Sequence, residues 1–258
     1  MIVALTRPPT SALAQCELTH LERAPIDIGL AQSQHRAYED LLAMLGARVI
    51  ALPEEPELPD AIFVEDTAVV LDEIAVLARP GAASRLAEVD TIESVLTTYR
   101  PLHRIEAPGT LDGGDVLRVQ RALYVGRSTR TNEAGITQLA QLVEPLGYRV
   151  RAVPVAGCLH LKSACSHIGD SVVLVNGNWI DTGAFTEVEL LEIDAAEPAA
   201  ANAVLVEDAI LMASDVPRTA DLVRNRGRRV VTVDLSELRK AEAGGTCMSL
   251  IFEERSEG

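Results

Sequence analysis

The sequence has no long apolar run and no obvious targeting segment. No stretch approaches the roughly 18 uninterrupted apolar residues that a membrane-spanning helix needs. The N-terminus lacks a basic region followed by a long apolar stretch, so it does not resemble a secretory signal peptide. These absences predict a soluble, cytoplasmic protein with no membrane partner.

Cysteine is scarce, with four in 258 residues. Cys16, Cys158, Cys165 and Cys247 show neither the paired short spacing of a zinc site nor the density of a secreted disulfide scaffold. We therefore expect reduced thiols. Most unpaired cysteines are small buried apolar residues, so a chemical role for any of them needs further support.

Positive charge is also in short supply. The 38 acidic residues outnumber the 23 lysines and arginines, giving a net charge of −15. This balance argues against a nucleic-acid-binding protein, because no basic stripe is present to displace phosphate counterions. A small cationic ligand fits the charge better, although most acidic residues serve solubility.

Several familiar site motifs are missing. The chain contains no phosphate-binding GxxxxGKS/T or GxGxxG loop and no metal-binding HExxH or EF-hand spacing. We therefore expect no cofactor and no bound metal. No Ser/Gly-rich linker or compositional break divides the chain, so residues 1–258 are predicted to form a single domain.

What the chain does contain is a weak internal repeat. Four stretches share the order strand, turn, helix, strand, at residues 3–53, 75–106, 122–154 and 209–234. Apolar spacing predicts helices at residues 35–45, 85–99, 132–146 and 219–226. Two of them end at Gly46 and Gly147, as expected for helix C-caps. A fifth unit, around residues 171–194, lacks a clear helix.

Between these units, short apolar strands run into polar residues. They occupy residues 62–66, 110–115, 159–163 and 203–208. Glu65, Asp112 and His160 recur at intervals of 47 and 48 residues. Equivalent positions of successive repeats converge if the units surround an axis. The pattern then predicts a central site of carboxylates and one histidine; unrelated units with solvent-facing charges are the alternative.

The C-terminal stretch Gly244-Gly245-Thr246-Cys247 offers a nucleophile. The glycines let a ligand approach closely, and a thiolate needs a nearby base, which His160 can supply. The acidic turn Thr110-Leu-Asp-Gly-Gly-Asp115 adds carboxylates. A thiol, a histidine and several carboxylates together fit a substrate whose electrophilic carbon lies inside a cation, such as a planar guanidinium.

These motifs resemble those of the dimethylarginine dimethylaminohydrolases, or dimethylargininases, of the guanidino-modifying (pentein) superfamily. The similarity runs nearly end to end, through residues 18–27, 58–70, 79–85, 110–117, 130–132, 159–163 and 246–249. It implies an α/β fold, a five-bladed propeller of ββαβ units around a pseudo-fivefold axis. It also implies a cysteine hydrolase that converts N-methylated arginine to citrulline and a methylamine through a covalent thiouronium intermediate.

The same resemblance implies roles for individual residues. Cys247 would attack the guanidinium carbon, His160 would protonate the departing amine and then activate water, and Asp112 would orient His160. Eight further residues would contact the substrate: Leu18 on a lid loop, Asp60, Glu65 and Asp66 around the guanidinium, Arg85 and Arg130 at the α-carboxylate, and Ala241 and Glu242 near the α-amino and alkyl groups.

The chain departs from the family pattern just before the nucleophile. Ala241, Glu242 and Ala243 stand where the family often has an aliphatic residue, an acid and a glycine, so the substrate preference stays open. Arginine deiminase or another guanidino or ureido hydrolase is the alternative enzyme, and a non-catalytic propeller used as a binding module is the alternative outside enzymes. The expected partner is a small cationic guanidino compound. The sequence does not specify an assembly; a homodimer is the default, because two-fold dimers are the commonest homo-oligomers.

Overall fold

A computed structural model describes residues 1–254 of the chain, so the end of the predicted domain, residues 255–258, lies outside the described residues. The strands are β1 (Ile2–Thr6), β2 (Arg48–Ala51), β3 (Ala68–Val70), β4 (Ala75–Leu77), β5 (Leu102–Arg104), β6 (Val116–Val119), β7 (Ala122–Arg127), β8 (Arg149–Pro154), β9 (Cys165–His167), β10 (Val172–Val175), β11 (Glu189–Glu192), β12 (Val204–Val206), β13 (Ala209–Ala213), β14 (Arg229–Val233) and β15 (Ser249–Glu253). The helices are α1 (Ile28–Met44), α2 (Leu86–Leu96), α3 (Glu133–Val143), α4 (Leu161–Ala164), α5 (Pro217–Asn225) and α6 (Ser236–Arg239).

The strands form five three-stranded sheets, in the orders β15-β1-β2, β3-β4-β5, β6-β7-β8, β9-β10-β11 and β12-β13-β14. In every sheet the first two strands are antiparallel and the last two are parallel. β15, the last strand of the described residues, completes the sheet of β1, with Ile2 opposite Glu253. The predicted five-bladed α/β propeller of ββαβ units is confirmed.

Crossover helices join the parallel strands in four of the five blades. They are α1, α2, α3 and α5, and each overlaps a helix predicted from apolar spacing. The blade of β10 and β11 has only a short 3-10 turn, Thr182–Ala184, in that position, which confirms the degenerate fifth unit. Gly46 and Gly147 follow helical segments with φ of +103° and +86°, the left-handed backbone expected of C-cap glycines.

Apolar side chains fill the seams between neighbouring blades. Each of five buried clusters combines residues of two adjacent sheets; Val76 of β4, for example, shares a cluster with Leu123 of β7. This packing leaves the polar turns to meet one another at one end of the blades. Among the described residues, no helix is long and apolar enough to cross a membrane.

The polar segments between blades differ from the sequence-based expectation. Residues 62–66, 110–115 and 159–163 were predicted as strands with polar ends, but they form tight turns: Val64–Thr67, Gly113–Asp115 and α4. Each turn comes immediately before the first strand of its blade, and Thr246–Met248 does the same before β15. The expectation of strand ends was wrong because local i to i+3 hydrogen bonds, such as Asp115 N–H to Asp112 C=O, close the chain into turns. The repeat itself holds.

Residues 203–208 are a further exception. A strand does occur there, but Glu207 and Asp208 lie in the tight connection from β12 to β13, with Glu207 at a positive φ of 51°. Their carboxylates are therefore not the equivalents of Glu65, Asp112 and His160.

Candidate active site

The turns that precede β3, β6, β9 and β15 converge, and two glycines make the convergence possible. A Cβ on Gly113 would lie 2.1 Å from the carbonyl oxygen of Glu65. A Cβ on Gly114 would lie 2.5 Å from Asp66 Oδ1 and 2.8 Å from His160 Nδ1. Neither position has room for a side chain, so the Gly-Gly of the acidic turn lets Asp66 and His160 approach the backbone closely.

His160 is held between carboxylates. Its Nε2 lies 3.0 Å from Asp112 Oδ2, and its Nδ1 lies 3.7 Å from Asp66 Oδ1. Burial by itself would lower the pKa of the imidazole, but the carboxylates of Asp66, Asp112 and Asp115 outweigh it and raise the pKa to about 9. The ring therefore carries a proton at neutral pH.

Asp112 and Asp115 fix the position of this histidine. Asp112 is fully buried, and its Oδ1 accepts the N–H of Gly81 at 2.9 Å. Asp115 Oδ1 accepts the N–H of Leu161 at 2.9 Å, next to His160 in the chain. The predicted orienting role of Asp112 is thus accompanied by a backbone anchor, Asp115, to which the sequence analysis assigned no role.

Cys247 lies in the turn Thr246–Met248 and is partly exposed, with the N–H of Gly244 directed at its sulfur at 3.4 Å. Burial raises the pKa of its thiol to about 12, and the nearby carboxylates of Glu65 and Asp66 add to the rise. The thiol is therefore protonated at neutral pH.

Asp66 and Arg85 form a buried ion pair. Arg85 Nη1 donates to Asp66 Oδ2 at 2.7 Å, and the rest of the guanidinium is engaged mainly by Glu88, with Nη2 to Oε2 at 2.8 Å. Burial opposes ionisation of Asp66, but the charges of His160 and Arg85 prevail and lower its pKa. Because two carboxylates already occupy Arg85, little of its donor capacity is left for the substrate carboxylate that was expected there.

Arg130 has more hydrogen-bond donors available for a ligand than Arg85 has. Its Nη2 is 3.5 Å from Thr19 Oγ1, and its buried Nη1 has no hydrogen-bond partner among the described residues. A buried guanidinium nitrogen without a partner is unfavourable unless a ligand supplies an acceptor. Of the two arginines, Arg130 is the better placed to take a carboxylate.

Glu65 has partners at both carboxylate oxygens. Its Oε1 pairs with Lys162 Nζ at 2.7 Å, and its Oε2 accepts from Thr246 Oγ1 at 2.8 Å. These contacts tie the turn of Cys247 to α4. Each oxygen keeps a second lone pair, and the place of Glu65 in the guanidinium pocket stays a prediction.

The cavity at the centre of these contacts is small, about 20 Å³. It is lined by Glu17, Asp60, Phe63, Asp66, Arg85, Arg130, Leu159, His160, Ser163, Ala241, Glu242 and Cys247. Leu18, predicted on the lid, is not in this lining; its side chain packs partly against an apolar cluster. The volume suffices for about one water molecule, so an amino-acid substrate requires the segment that contributes Glu17 to move.

The sequence analysis missed Asn202. Its Oδ1 accepts the N–H of Thr246 and its Nδ2 donates to Thr246 Oγ1, both at 3.0 Å. Asn202 comes shortly before β12, as the other polar residues come before their strands. It lies 42 residues after His160, whereas the repeat interval of 47 or 48 residues leads to Glu207 and Asp208, so the spacing alone does not find it.

Asp66, Asp112 and His160 are also a possible metal site, since their ligand atoms all lie within 4.8 Å of one another. A metal ligand must be deprotonated, however, and the pKa of His160 is raised to about 9. The environment therefore favours a proton on this imidazole, and the chemistry best matched to the trio is proton transfer.

Comparison with known proteins gives consistent matches. The family model for "N,N dimethylarginine dimethylhydrolase, eukaryotic" matches residues 18–192. The N(G),N(G)-dimethylarginine dimethylaminohydrolase of Streptomyces coelicolor is 40% identical over 97% of both chains, and that of Pseudomonas aeruginosa is 34% identical over 96% of this chain and 98% of its own.

Comparison with solved structures agrees with the sequence matches. A Cys-to-Ser variant of the P. aeruginosa enzyme in complex with citrulline superposes with a TM-score of 0.92 at 33% identity, covering 96% of this chain and 98% of that one. The N-terminal domain of ArgZ, a cyanobacterial arginine dihydrolase, gives a TM-score of 0.89 at 18% identity, over 98% of both chains. At that identity the second match speaks for the fold alone.

Proposed function

This chain belongs to the dimethylarginine dimethylaminohydrolase family, and from that membership we propose that it hydrolyses N-methylated arginine, asymmetric dimethylarginine and monomethylarginine, to citrulline and the corresponding methylamine. The observation that carries the proposal is the meeting of Cys247, a protonated His160 and the carboxylate of Asp66 in one closed cavity. A nucleophile, a general acid and an anchor for a cation are what this reaction needs.

Charge directs the substrate into the cavity in one orientation. The guanidinium lies against Asp66, whose oxygens each have a second lone pair available beyond their contacts to Gly114 and Arg85. The α-carboxylate binds Arg130 through the unpaired Nη1. At the α-ammonium end, Glu242 offers Oε2, a buried oxygen without a hydrogen-bond partner among the described residues.

Binding of the cation activates the thiol. The carboxylates of Glu65 and Asp66 hold the pKa of Cys247 up, and a guanidinium between them and the sulfur offsets their field. The thiol proton passes to water, and the thiolate then forms a bond to the guanidinium carbon, giving a neutral tetrahedral adduct.

His160 serves both halves of the reaction through Nδ1, because Asp112 occupies Nε2. The imidazolium gives its proton to the dimethylamino nitrogen, the C–N bond breaks and dimethylamine departs, leaving a thiouronium cation on Cys247 and a neutral His160. The imidazole next takes a proton from a water molecule as the hydroxide adds to the same carbon. The C–S bond then breaks, the hydroxyl proton passes to sulfur, and citrulline, the Cys247 thiol and the His160 imidazolium result.

An arginine deiminase would differ in the groups around the leaving nitrogen. A pocket for two N-methyl groups leaves apolar space there, whereas a pocket for arginine supplies hydrogen-bond acceptors to an unmethylated nitrogen. The family membership favours the methylated substrate. A protonated histidine beside a thiol favours an enzyme over a non-catalytic binding module, because a general acid and a nucleophile are needed for catalysis and not for binding alone.

The test is a citrulline assay on the purified protein with asymmetric dimethylarginine, monomethylarginine and arginine, with dimethylamine release followed in parallel. Turnover of the methylated substrates with little turnover of arginine supports the proposal. Turnover of arginine alone would reassign the protein to the deiminases, and no turnover of any of the three would remove it from this chemistry.

We also propose a reducing compartment, the cytoplasm, as the site of action. All four cysteines are free thiols, and the mechanism requires Cys247 to be reduced. Fractionation of cells that express the protein, with a cytoplasmic and a secreted marker, tests this assignment; recovery with the secreted marker would contradict it.

A further inference from the structure

The segment that closes the cavity, residues 17–27, is here called the lid. Oε1 of Glu242 accepts three consecutive backbone N–H groups of the lid, from Thr19 at 3.0 Å, His20 at 2.6 Å and Leu21 at 2.7 Å. We infer that Glu242 is a positioning residue whose carboxylate latches the lid in its closed position and so sets the affinity for the substrate. The expected change in KM rests on the proposed function, but the effect of Glu242 on the position of the lid does not.

Hydrogen bonds, more than packing, decide where this part of the lid lies. Residues 19–25 are exposed throughout, and within the lid Leu18 and Ile26 are the apolar side chains that pack partly against a core cluster. Three successive N–H groups around one oxygen form an anion-binding nest, and hydrogen bonds to a carboxylate are stronger than those between neutral groups. Removing the carboxylate therefore takes away the main attachment of residues 19–21.

The base of the latch is rigid. Glu242 lies between Ala241 and Ala243, which are 2% and 6% exposed and belong to the same buried cluster. Its backbone has a φ of +59°, a left-handed conformation that side chains other than Asn, Asp and Gly adopt uncommonly. The carboxylate is thus presented to the lid from a fixed point two residues before the Gly-Gly that leads to Cys247.

The lid is also tied to other groups that face the substrate. Both carboxylate oxygens of Asp60 accept the N–H of Glu17 at 3.1 Å, and Arg130 Nη2 approaches Thr19 Oγ1 at 3.5 Å. Asp60, Arg130 and Glu242 all line the cavity. Closure of the lid and occupation of the cavity therefore involve the same side chains, which links the two events thermodynamically.

The size of the cavity indicates that the lid opens. At about 20 Å³, the cavity beside Cys247 is too small for an amino acid, so we expect the nest to leave Glu242 when substrate enters and to return to it afterwards. A latch that favours the closed form stabilises the complex with bound substrate. Its loss is expected to raise KM more than it lowers kcat, since Cys247, His160 and Asp112 are untouched.

The experiment compares Glu242→Ala and Glu242→Gln with a matched control, Glu22→Gln. Glu22 is an exposed carboxylate on the same lid that forms no hydrogen bond or ion pair among the described residues, so its loss changes the charge without touching the latch. Limited trypsin digestion without substrate reports on opening of the lid, because Arg23 lies within it and its guanidinium is held by the carbonyl oxygens of Ala14 and Cys16 while the lid is closed. We expect cleavage after Arg23 to quicken roughly tenfold or more in Glu242→Ala. Glu242→Gln keeps an acceptor oxygen and should fall between Glu242→Ala and the wild type, while Glu22→Gln should match the wild type.

Kinetics on dimethylarginine give the second readout. KM should rise roughly 10- to 100-fold in Glu242→Ala, with a smaller rise in Glu242→Gln and none in Glu22→Gln. Unchanged cleavage after Arg23 in Glu242→Ala would overturn the latch, whatever happens to KM. If Glu242 contacted only the substrate, its loss would change KM but would not change cleavage of the lid in the absence of substrate. If cleavage quickens but the wild type turns over no methylated arginine, the latch stands and the proposed function fails.

Discussion

Nε2 of His160 lies 3.0 Å from Oδ2 of Asp112, and this contact decides which nitrogen of the ring can take part in the reaction. With Nε2 held by Asp112, Nδ1 is the atom left for proton transfer, and the same carboxylate helps to raise the pKa of the imidazole to about 9. A general acid of that pKa stays protonated through the neutral range.

The first prediction concerns the variant Asp112→Asn. Losing the carboxylate removes one cause of the raised pKa, so the alkaline limb of the kcat profile, which reports the substrate-bound enzyme with its thiol already ionised, should move to lower pH than in the wild type. The sign follows because His160 acts as an acid and activity is lost as pH rises through its pKa. Asp221→Asn, which removes an exposed carboxylate, is the control and should leave the limb in place. An unmoved limb in Asp112→Asn would show that another group titrates there.

The second prediction concerns the reactivity of the Cys247 thiol in the absence of substrate. Because burial and the nearby carboxylates raise the pKa of Cys247 to about 12, a neutral alkylating reagent should react slowly at neutral pH, with a rate that is still climbing at alkaline pH. A reagent of the same size that carries a positive charge should react much faster, because it offsets the carboxylate field. Rates are measured by mass spectrometry of the modified protein; equal rates for the two reagents at neutral pH would contradict the account.

The third prediction concerns the ion pair behind the nucleophile. Lys162→Met leaves the buried Glu65 carboxylate without its cation and should lower the free energy of unfolding by about 3 kcal/mol. Adding Glu65→Gln removes the unpaired charge and should restore part of that loss. Lys240→Met, which breaks a more exposed pair with Glu237, is the control and should change the free energy by less than about 1 kcal/mol. Urea denaturation gives all four values, and a Lys162→Met loss no larger than that of Lys240→Met would refute the prediction.

The fourth prediction concerns acid stability. His35 is fully buried, its two ring nitrogens lack hydrogen-bond partners among the described residues, and burial lowers its pKa from the usual 6.5 to about 4. Glu39 lies 3.6 Å away, too far for a hydrogen bond, so burial outweighs the attraction of that carboxylate. Between about pH 4 and pH 6.5, His35 therefore binds more protons in the unfolded chain than in the folded protein. The part of the free energy of unfolding that depends on a neutral His35 is fully present above about pH 6.5 and is lost as pH falls to about 4.

The measurement for His35 is the free energy of unfolding of the wild type and of His35→Leu across this range. The wild type should lose more stability than the variant between pH 6.5 and 4, by up to about 3 kcal/mol. His103→Gln, a change at an exposed histidine, should follow the wild type. Parallel curves for wild type and His35→Leu would mean that His35 has an ordinary pKa.

The blades and the meeting of Asp112 with His160 could be predicted from the sequence, because both follow from a repeat that the chain displays. The catalytic roles of Cys247, His160 and Asp112 came from the family resemblance and stay predictions. Apolar spacing marked the crossover helices, and the intervals between Glu65, Asp112 and His160 marked their convergence. The single-domain organisation and the homodimer stay predictions.

The remaining errors have a common physical origin. The turns were predicted as strands because a short apolar run such as Ile62-Phe-Val does not distinguish the two, and the closing hydrogen bonds depend on the side chains around them. Lys162 is separated by nearly a hundred residues from its partner Glu65, so no local pattern indicates that this carboxylate is already paired. The backbone contacts of Glu242 likewise depend on the fold and not on spacing.

The most direct test of the central claim is the mass of the enzyme during turnover. Wild-type protein mixed with asymmetric dimethylarginine is quenched rapidly in acid, and the intact mass and peptide masses are measured, with Cys247→Ser as the control. We expect an adduct with the mass of the substrate less dimethylamine, located on Cys247 and absent from Cys247→Ser, which should fold normally and release no citrulline. Citrulline release by Cys247→Ser, or an adduct on any other residue during turnover, would contradict the mechanism.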